Sequence, residues 1–200
     1  MNDGLIFAIS APSGAGKTTV AQHLIATIPN VVRSVSLNTR AKRPSEIDGV
    51  DYIFVSNEEF DMHIKNENLV EYTEIYTTRC GTPKTQLLQN QQQGIDTICV
   101  IERNGTVRLK ELFGGSVVAI FLLPPSMEEL ERRLYARGQD DAEKIRMRLL
   151  SAEREMEHAV EYDYCVLNDV LQECLLNVES IVRAERCRNR HQTYLGFTSN

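Results

Sequence analysis

Short, wholly apolar runs alternate with longer, mixed polar and apolar stretches along this chain, and that alternation predicts its elements. Residues 5–9 and 117–123 are continuously apolar, and 97–101 is apolar after Thr97, the pattern of parallel strands buried on both faces. Residues 31–37 alternate and are rich in valine, which predicts one strand; 52–55, 69–76 and 164–167 predict further short ones. Helices are predicted over 17–27, from Ser56 to about Asn66, over 83–93, briefly after Gly105, after Ser126, over 142–159 and over 170–190. Ser56 with Glu59, and Ser126 with Glu129, have the spacing of helix-opening capping boxes. Strand and helix alternate throughout, which argues for an α/β fold with a central parallel sheet covered by helices on both faces. Residues 38–82 read as a small, mostly β insertion into that pattern.

Composition narrows the function classes. The 200 residues suit one packed domain, and the formal net charge of −6 argues against broad nucleic-acid binding, which needs excess lysine and arginine. The apolar run at 117–123 is too short to span a bilayer. The five cysteines show neither a C-x-x-C pair nor zinc-finger spacing, so they are expected to be reduced thiols in a soluble, cytoplasmic protein.

The chemistry begins at Ala11-Pro12-Ser13-Gly14-Ala15-Gly16-Lys17-Thr18, followed by Thr19, between the first apolar strand and the first helix. Except for Ala11 at the first glycine position, this is a phosphate-binding P-loop. Gly14 and Gly16 let backbone N–H groups turn inward, and the helix dipole adds positive potential. Lys17 can reach the β- and γ-phosphates of ATP, and the Thr18 hydroxyl can bind Mg²⁺. The loop alone does not separate ATPase, GTPase and kinase, although the N-K-x-D motif of GTPases is absent. Arg40 and Arg43, three apart in a polar loop, could hold a phosphate with two guanidinium forks, or form a solvated basic turn. Glu71 lies in an otherwise apolar strand, where a carboxylate is either functional or a satisfied structural charge. None of His23, His63, His158 and His191 falls in a motif.

Ser36, Thr39, Arg40, Arg43, Pro44, Glu46, Gly49, Tyr52 and Phe54-Val55 together resemble the S-x-T-T-R-x-x-R-x-G-E-x-x-G-x-x-Y-x-F-V signature of guanylate kinases. The resemblance continues through Leu69-Val70-Glu71, Gly81-Thr82, Arg137-Gly138-Gln139-Asp140, Glu161-Tyr162-Asp163-Tyr164, Asn168-Asp169 and Arg183-Ala184-Glu185-Arg186. It implies a P-loop three-layer sandwich forming a single domain over 1–200. Its core would be about 1–37, 83–136 and 160–200, with an acceptor-binding insertion at about 38–82 and a helical lid at about 137–159. It also implies phosphoryl transfer from ATP to GMP, and to dGMP, with Mg²⁺. ATP and GMP would be its partners, with neither nucleic acid nor membrane among them, and it sets no oligomeric state. By resemblance the acceptor site would comprise Ser36, Arg40, Arg43, Tyr52, Glu71, Thr82 and Glu102. Lys17, Arg40, Arg137 and Arg148 would stabilise the transferring group, and Asn168 would contact adenine. For Arg132 and Arg146 ordinary helical ion pairing is the expectation.

The departures gather on the acceptor side. Cys80 stands where the family has tyrosine, Val100 and Glu102 where it has aspartates, and Arg103-Asn104 where it has an aromatic–Gln pair. Arg79, adjacent to Cys80, is a candidate to compensate for the missing hydroxyl. Two alternatives therefore stay open at this point: a P-loop kinase for a different phosphorylated acceptor, and a non-catalytic binding module.

Overall fold

The computed structural model describes residues 3–75, 78–138 and 140–188. Tyr76, Gln139, His191 and the expected helix end at Arg190 lie outside the described residues. Five strands form a parallel sheet in the order β2-β7-β1-β8-β9: β1 (Ile6–Ser10), β2 (Val31–Arg33), β7 (Asp96–Val100), β8 (Val117–Leu123) and β9 (Tyr164–Leu167). The apolar runs become its centre because each face carries a separate hydrophobic core. Phe7 and Ile9 face a core with Val20 and Leu24 of α1 (Lys17–Thr27), Leu130 and Leu134 of α5 (Met127–Arg137), Ile145 of α6 (Ala142–Glu157) and Val178 of α7 (Leu171–Cys187). Ile6 and Ala8, alternating with them, face Leu87 of α3 (Lys84–Gln92) and Leu109 of α4 (Arg103–Phe113). With no polar face to leave in water, such strands must be central.

A second, four-stranded sheet has the order β4-β3-β6-β5: β3 (Leu37–Asn38), β4 (Ile53–Phe54), β5 (Leu69–Ile75) and β6 (Thr78–Pro83). Its own core is small, Leu37, Phe60 and Leu69, with Phe60 supplied by α2 (Asn57–Lys65). The capping box that opens α2 is complete: the Glu59 N–H donates to Ser56 Oγ at 3.1 Å, and the Ser56 N–H to Glu59 Oε2 at 2.7 Å.

Three expectations need correction. Residues 31–37 are not one strand: β2 ends at Arg33 and β3 begins at Leu37 in the other sheet. The Ser34 N–H still bonds Ile98 O, but the Val35 N–H turns to the Gln86 side chain, so the chain leaves one ladder for the other. The helix near Gly105 begins at Arg103, because Gly105 packs inside it, where a Cβ would lie 2.3 Å from Ile101. The long charged helix ends at Glu157 and tightens into a 3-10 turn at His158–Glu161. β6 carries no apolar periodicity and is legible only through its ladders with β3 and β5.

Candidate functional site

The phosphate loop sits where β1 gives way to α1. Gly14 and Gly16 take φ of 91° and 99°, the left-handed region that glycine enters without penalty. Ala11 does not, since the only non-glycine residues with positive φ among those described are Asn30 and Glu67. Its backbone therefore needs no glycine, which accounts physically for the one departure from the loop pattern. Gly16 also has a packing reason: a Cβ there would lie 2.5 Å from Asn168 Nδ2.

The loop is braced from the core. Asn168, 3% exposed, donates from Nδ2 to Ala15 O at 2.8 Å, and its backbone carbonyl accepts from Arg133 Nη2 at 3.1 Å. Arg133 is in turn held by Glu129 at 2.8 Å. In this state the Asn168 amide is directed at the loop backbone. Lys17 folds back so that its ammonium donates to Ala11 O and, at 3.3 Å, to Pro12 O. Burial pulls its pKa below the usual lysine value, opposed by the nearby carboxylates Glu155 and Glu102. A desolvated ammonium whose hydrogen bonds go to backbone carbonyls is set to exchange them for a stronger, anionic acceptor. Thr18 and Thr19 are exposed at the helix start.

Of the two arginines implied for the lid, the structure brings one to the loop. Arg148 on α6 donates to Ser13 Oγ and pairs with Asp140 Oδ2 at 3.1 Å. Arg137, the last residue of α5, is exposed and has no side-chain hydrogen bond or ion pair among the described residues. Arg132 and Arg146 form the helical pairs expected of them, with Glu129 at 2.6 Å and Glu143 at 2.9 Å.

Of the residues expected to bind the acceptor, all but Glu102, which caps α4, lie on the second sheet and its loops. Thr82 on β6 donates to Glu71 Oε1 on β5 at 3.0 Å. Burial pushes the Glu71 carboxyl above the usual range; the Thr82 bond opposes this, and Glu102 adds to it. Cys80, two residues before Thr82, shares its face of β6; burial raises its thiol pKa, and the Glu71 carboxylate adds to the rise. Arg40 forms a two-pronged pair with Glu46, at 2.7 and 2.5 Å, and its guanidinium lies over the rings of Tyr52 and Phe54. Arg43 is exposed in the same loop. Arg79 does not stand in for the missing tyrosine. It projects from the opposite face of β6 to Asp61 and Asn57 of α2, over the Phe60 ring.

The two halves meet at Glu102, whose charge acts on both Lys17 and Glu71. A cleft of about 220 Å³ opens there, lined by Ser10 and Ala11 after β1, Glu102 and Asn104 at the start of α4, and Arg154 and Glu155 of α6. Such a cleft beyond the carboxyl ends of parallel strands is the usual ligand position in α/β sheets. Sequence reasoning named Glu46 only as part of the signature, without a role, and gave none to Arg133 or Glu155. Arg133 lies four residues after Glu129, so it looks like one more surface pair; its second bond, to Asn168, depends on a contact 35 residues away. Among the described residues no group of three or more His, Cys, Asp and Glu could hold a metal ion, and no helix is long and apolar enough to cross a membrane. His23 and His158 pair with Glu179 and Glu161, and His63 lies on α2.

Residues 5–185 match the family model described as guanylate kinase. The chain is 42% identical over 195 residues to the guanylate kinase of Bradyrhizobium diazoefficiens, covering 97% of this chain and 89% of that one. It is likewise 42% identical over 194 residues to that of Desulfitobacterium hafniense, covering 97% and 96%. The crystal structure of guanylate kinase from Anaplasma phagocytophilum superimposes with a TM-score of 0.73 at 35% identity, covering 94% of this chain and 88% of that one.

Proposed function

The chain belongs to the guanylate kinase family, and on that premise we infer that it is an enzyme catalysing ATP-dependent phosphorylation of GMP, and of dGMP, to the diphosphate. One observation carries the assignment of the acceptor: the half-buried Glu71 carboxylate, held by Thr82, faces the same Glu102 as the lysine of the phosphate loop. A carboxylate in that position accepts from the N1–H and exocyclic amine of guanine; adenine presents no such donor pair.

In this reading residues 11–19 wrap the ATP phosphates, and Lys17 leaves the carbonyls of Ala11 and Pro12 for the β- and γ-phosphates. Arg148, already on Ser13, and Arg137, free to move, neutralise the transferring group. Arg40 and Arg43, with Ser36 and Tyr52, hold the acceptor phosphate. The attacking atom is an oxygen of that phosphate, largely ionised at neutral pH because its second pKa is about 6, so no general base is required. Rate enhancement comes from in-line placement and charge stabilisation in a site that excludes water. Thr18, exposed at the helix start, fits Mg²⁺ held mainly through ATP oxygens and water, since no carboxylate cluster among the described residues could cage it. When bound, the ion would neutralise charge on the β- and γ-phosphates. The core, the acceptor-binding segment 38–82 and the lid 137–159 are the units that would move against one another on closure.

The test is ADP release with Mg-ATP and a panel of GMP, dGMP, AMP, CMP, UMP and sugar phosphates. Turnover dependent on the guanine nucleotides is expected; turnover only with another acceptor would overturn the reading.

A further inference from the structure

Arg40 is held about two axes at once. Its guanidinium carbon lies 5.3 Å from the Tyr52 ring centroid and 5.5 Å from that of Phe54, which fixes the plane of the fork. Glu46 fixes rotation within that plane: Nη1 donates to Oε2 at 2.7 Å and Nη2 to Oε1 at 2.5 Å. Nη1 also donates to Ala41 O at 3.1 Å. The carboxylate is itself anchored, because Oε2 accepts the Arg43 N–H at 2.9 Å and the Glu46 N–H returns to Arg43 O at 3.1 Å. Lys42 Nζ donates to Glu46 O at 3.1 Å.

A guanidinium has two edges able to grip an oxyanion with paired N–H groups. Glu46 occupies the end-on edge, Nη1 with Nη2. The side-on edge, Nε with the outer Nη2 hydrogen, has no partner among the described residues. The carboxylate therefore does not displace a phosphate from Arg40; both can be held together, on different edges. We propose that Glu46 is the positioning residue of the acceptor site, presenting the free edge of Arg40 to the acceptor phosphate in a fixed orientation. This rests on the reading of Arg40 as an acceptor-phosphate ligand. Without the anchor, a long arginine would have to lose its rotamer freedom at every binding event. The Glu46 carboxyl is drawn down to about 2 by its bonds to Arg40 and to the Arg43 backbone, so the anchor stays charged at working pH.

Glu46→Gln keeps the size and the bond to the Arg43 N–H but turns an amide toward Arg40. Calorimetry should show GMP binding weakened about tenfold, with guanosine binding and the KM for ATP unchanged, because only the phosphate contact passes through Arg40. Glu46→Asp should recover part of the loss. In an Arg40→Met background Glu46→Gln should add nothing. Unchanged GMP affinity, or tighter binding, would overturn the proposal, the latter because Glu46 would then be a competitor for the fork. Equal losses for GMP and guanosine would also overturn it, showing that Glu46 merely holds the loop together. Wild-type turnover of GMP, measured alongside, separates the two levels. With turnover present and Glu46→Gln silent, only the Glu46 proposal falls; with no wild-type turnover, both fall.

Discussion

The two halves of the cleft are built differently. The phosphate loop rests on the main core: Asn168 beneath Gly16 is buried, and its bond to Ala15 O is tied through Arg133 to α5. The acceptor side stands on a small sheet with strands as short as Leu37–Asn38 and Ile53–Phe54. Its arginines are held by ion pairs nearer the surface, Arg40 with Glu46 and Arg79 with Asp61. Buried neutral bonds resist solvent and salt, whereas surface pairs contribute little to stability and mainly set orientation. The donor half is thus rigid by packing and the acceptor half is oriented by charge. The departures from the family pattern follow that division: Ala11 on the donor side requires no unusual backbone, while Cys80 exchanges a hydroxyl donor for a weak thiol donor.

Substitutions can break or sharpen this contrast. The largest effect is expected for Lys17→Met, which should lower kcat by about a thousandfold, the scale of losing a central charge contact to the transferring group. Removing a desolvated ammonium should not lower the melting temperature, and a large drop would show that Lys17 is structural. Glu71→Gln comes next. It should reduce selectivity for GMP over AMP by about a hundredfold, with the KM for ATP unchanged; equal losses on both sides would dissolve the division.

Glu71 also has a pH signature. Burial raises its folded pKa above the ordinary glutamate value of about 4.3, so the folded state holds the proton more tightly than the unfolded chain does. Its contribution to stability is full below that value and is lost as pH rises through the raised folded pKa. Glu71→Gln should therefore be more thermostable than wild type at neutral pH. If guanine is held as proposed, by the ionised carboxylate, the wild-type KM for GMP should climb as pH falls through the same window. That climb should be absent in Glu71→Gln.

Asn168→Ala tests the brace. It leaves Ala15 O without its partner, while Arg133 keeps the backbone carbonyl of residue 168, and should cost about 1–3 kcal/mol of stability, with a raised KM for ATP. A change in KM without loss of stability would instead make Asn168 a ligand contact alone. The smallest effects belong to Arg132→Ala and Arg146→Ala, whose helical pairs should contribute within about 0.5 kcal/mol and leave turnover untouched.

The local elements were readable where one physical cause dominates. β8 and β9 and the helix α1 lie at the expected residues, because a doubly buried strand and a loop-led helix each leave a local signature. The same holds for the phosphate loop, whose glycines answer to backbone angles that neighbours along the chain impose. The separation of 31–37 into two sheets was not readable, nor was the polar strand β6, because both depend on which distant ladder accepts their N–H groups. Among side chains, the pattern placed Arg40, Glu71 and Thr82 in one set through their resemblance to the family. It could not say that Glu46 grips Arg40, that Arg79 turns to α2, or that Asn168 supports Ala15. Those outcomes are choices among several available partners for one polar group. Only the packed chain decides them, since a hydrogen bond or ion pair goes to whichever partner the surrounding core holds at the right distance and angle.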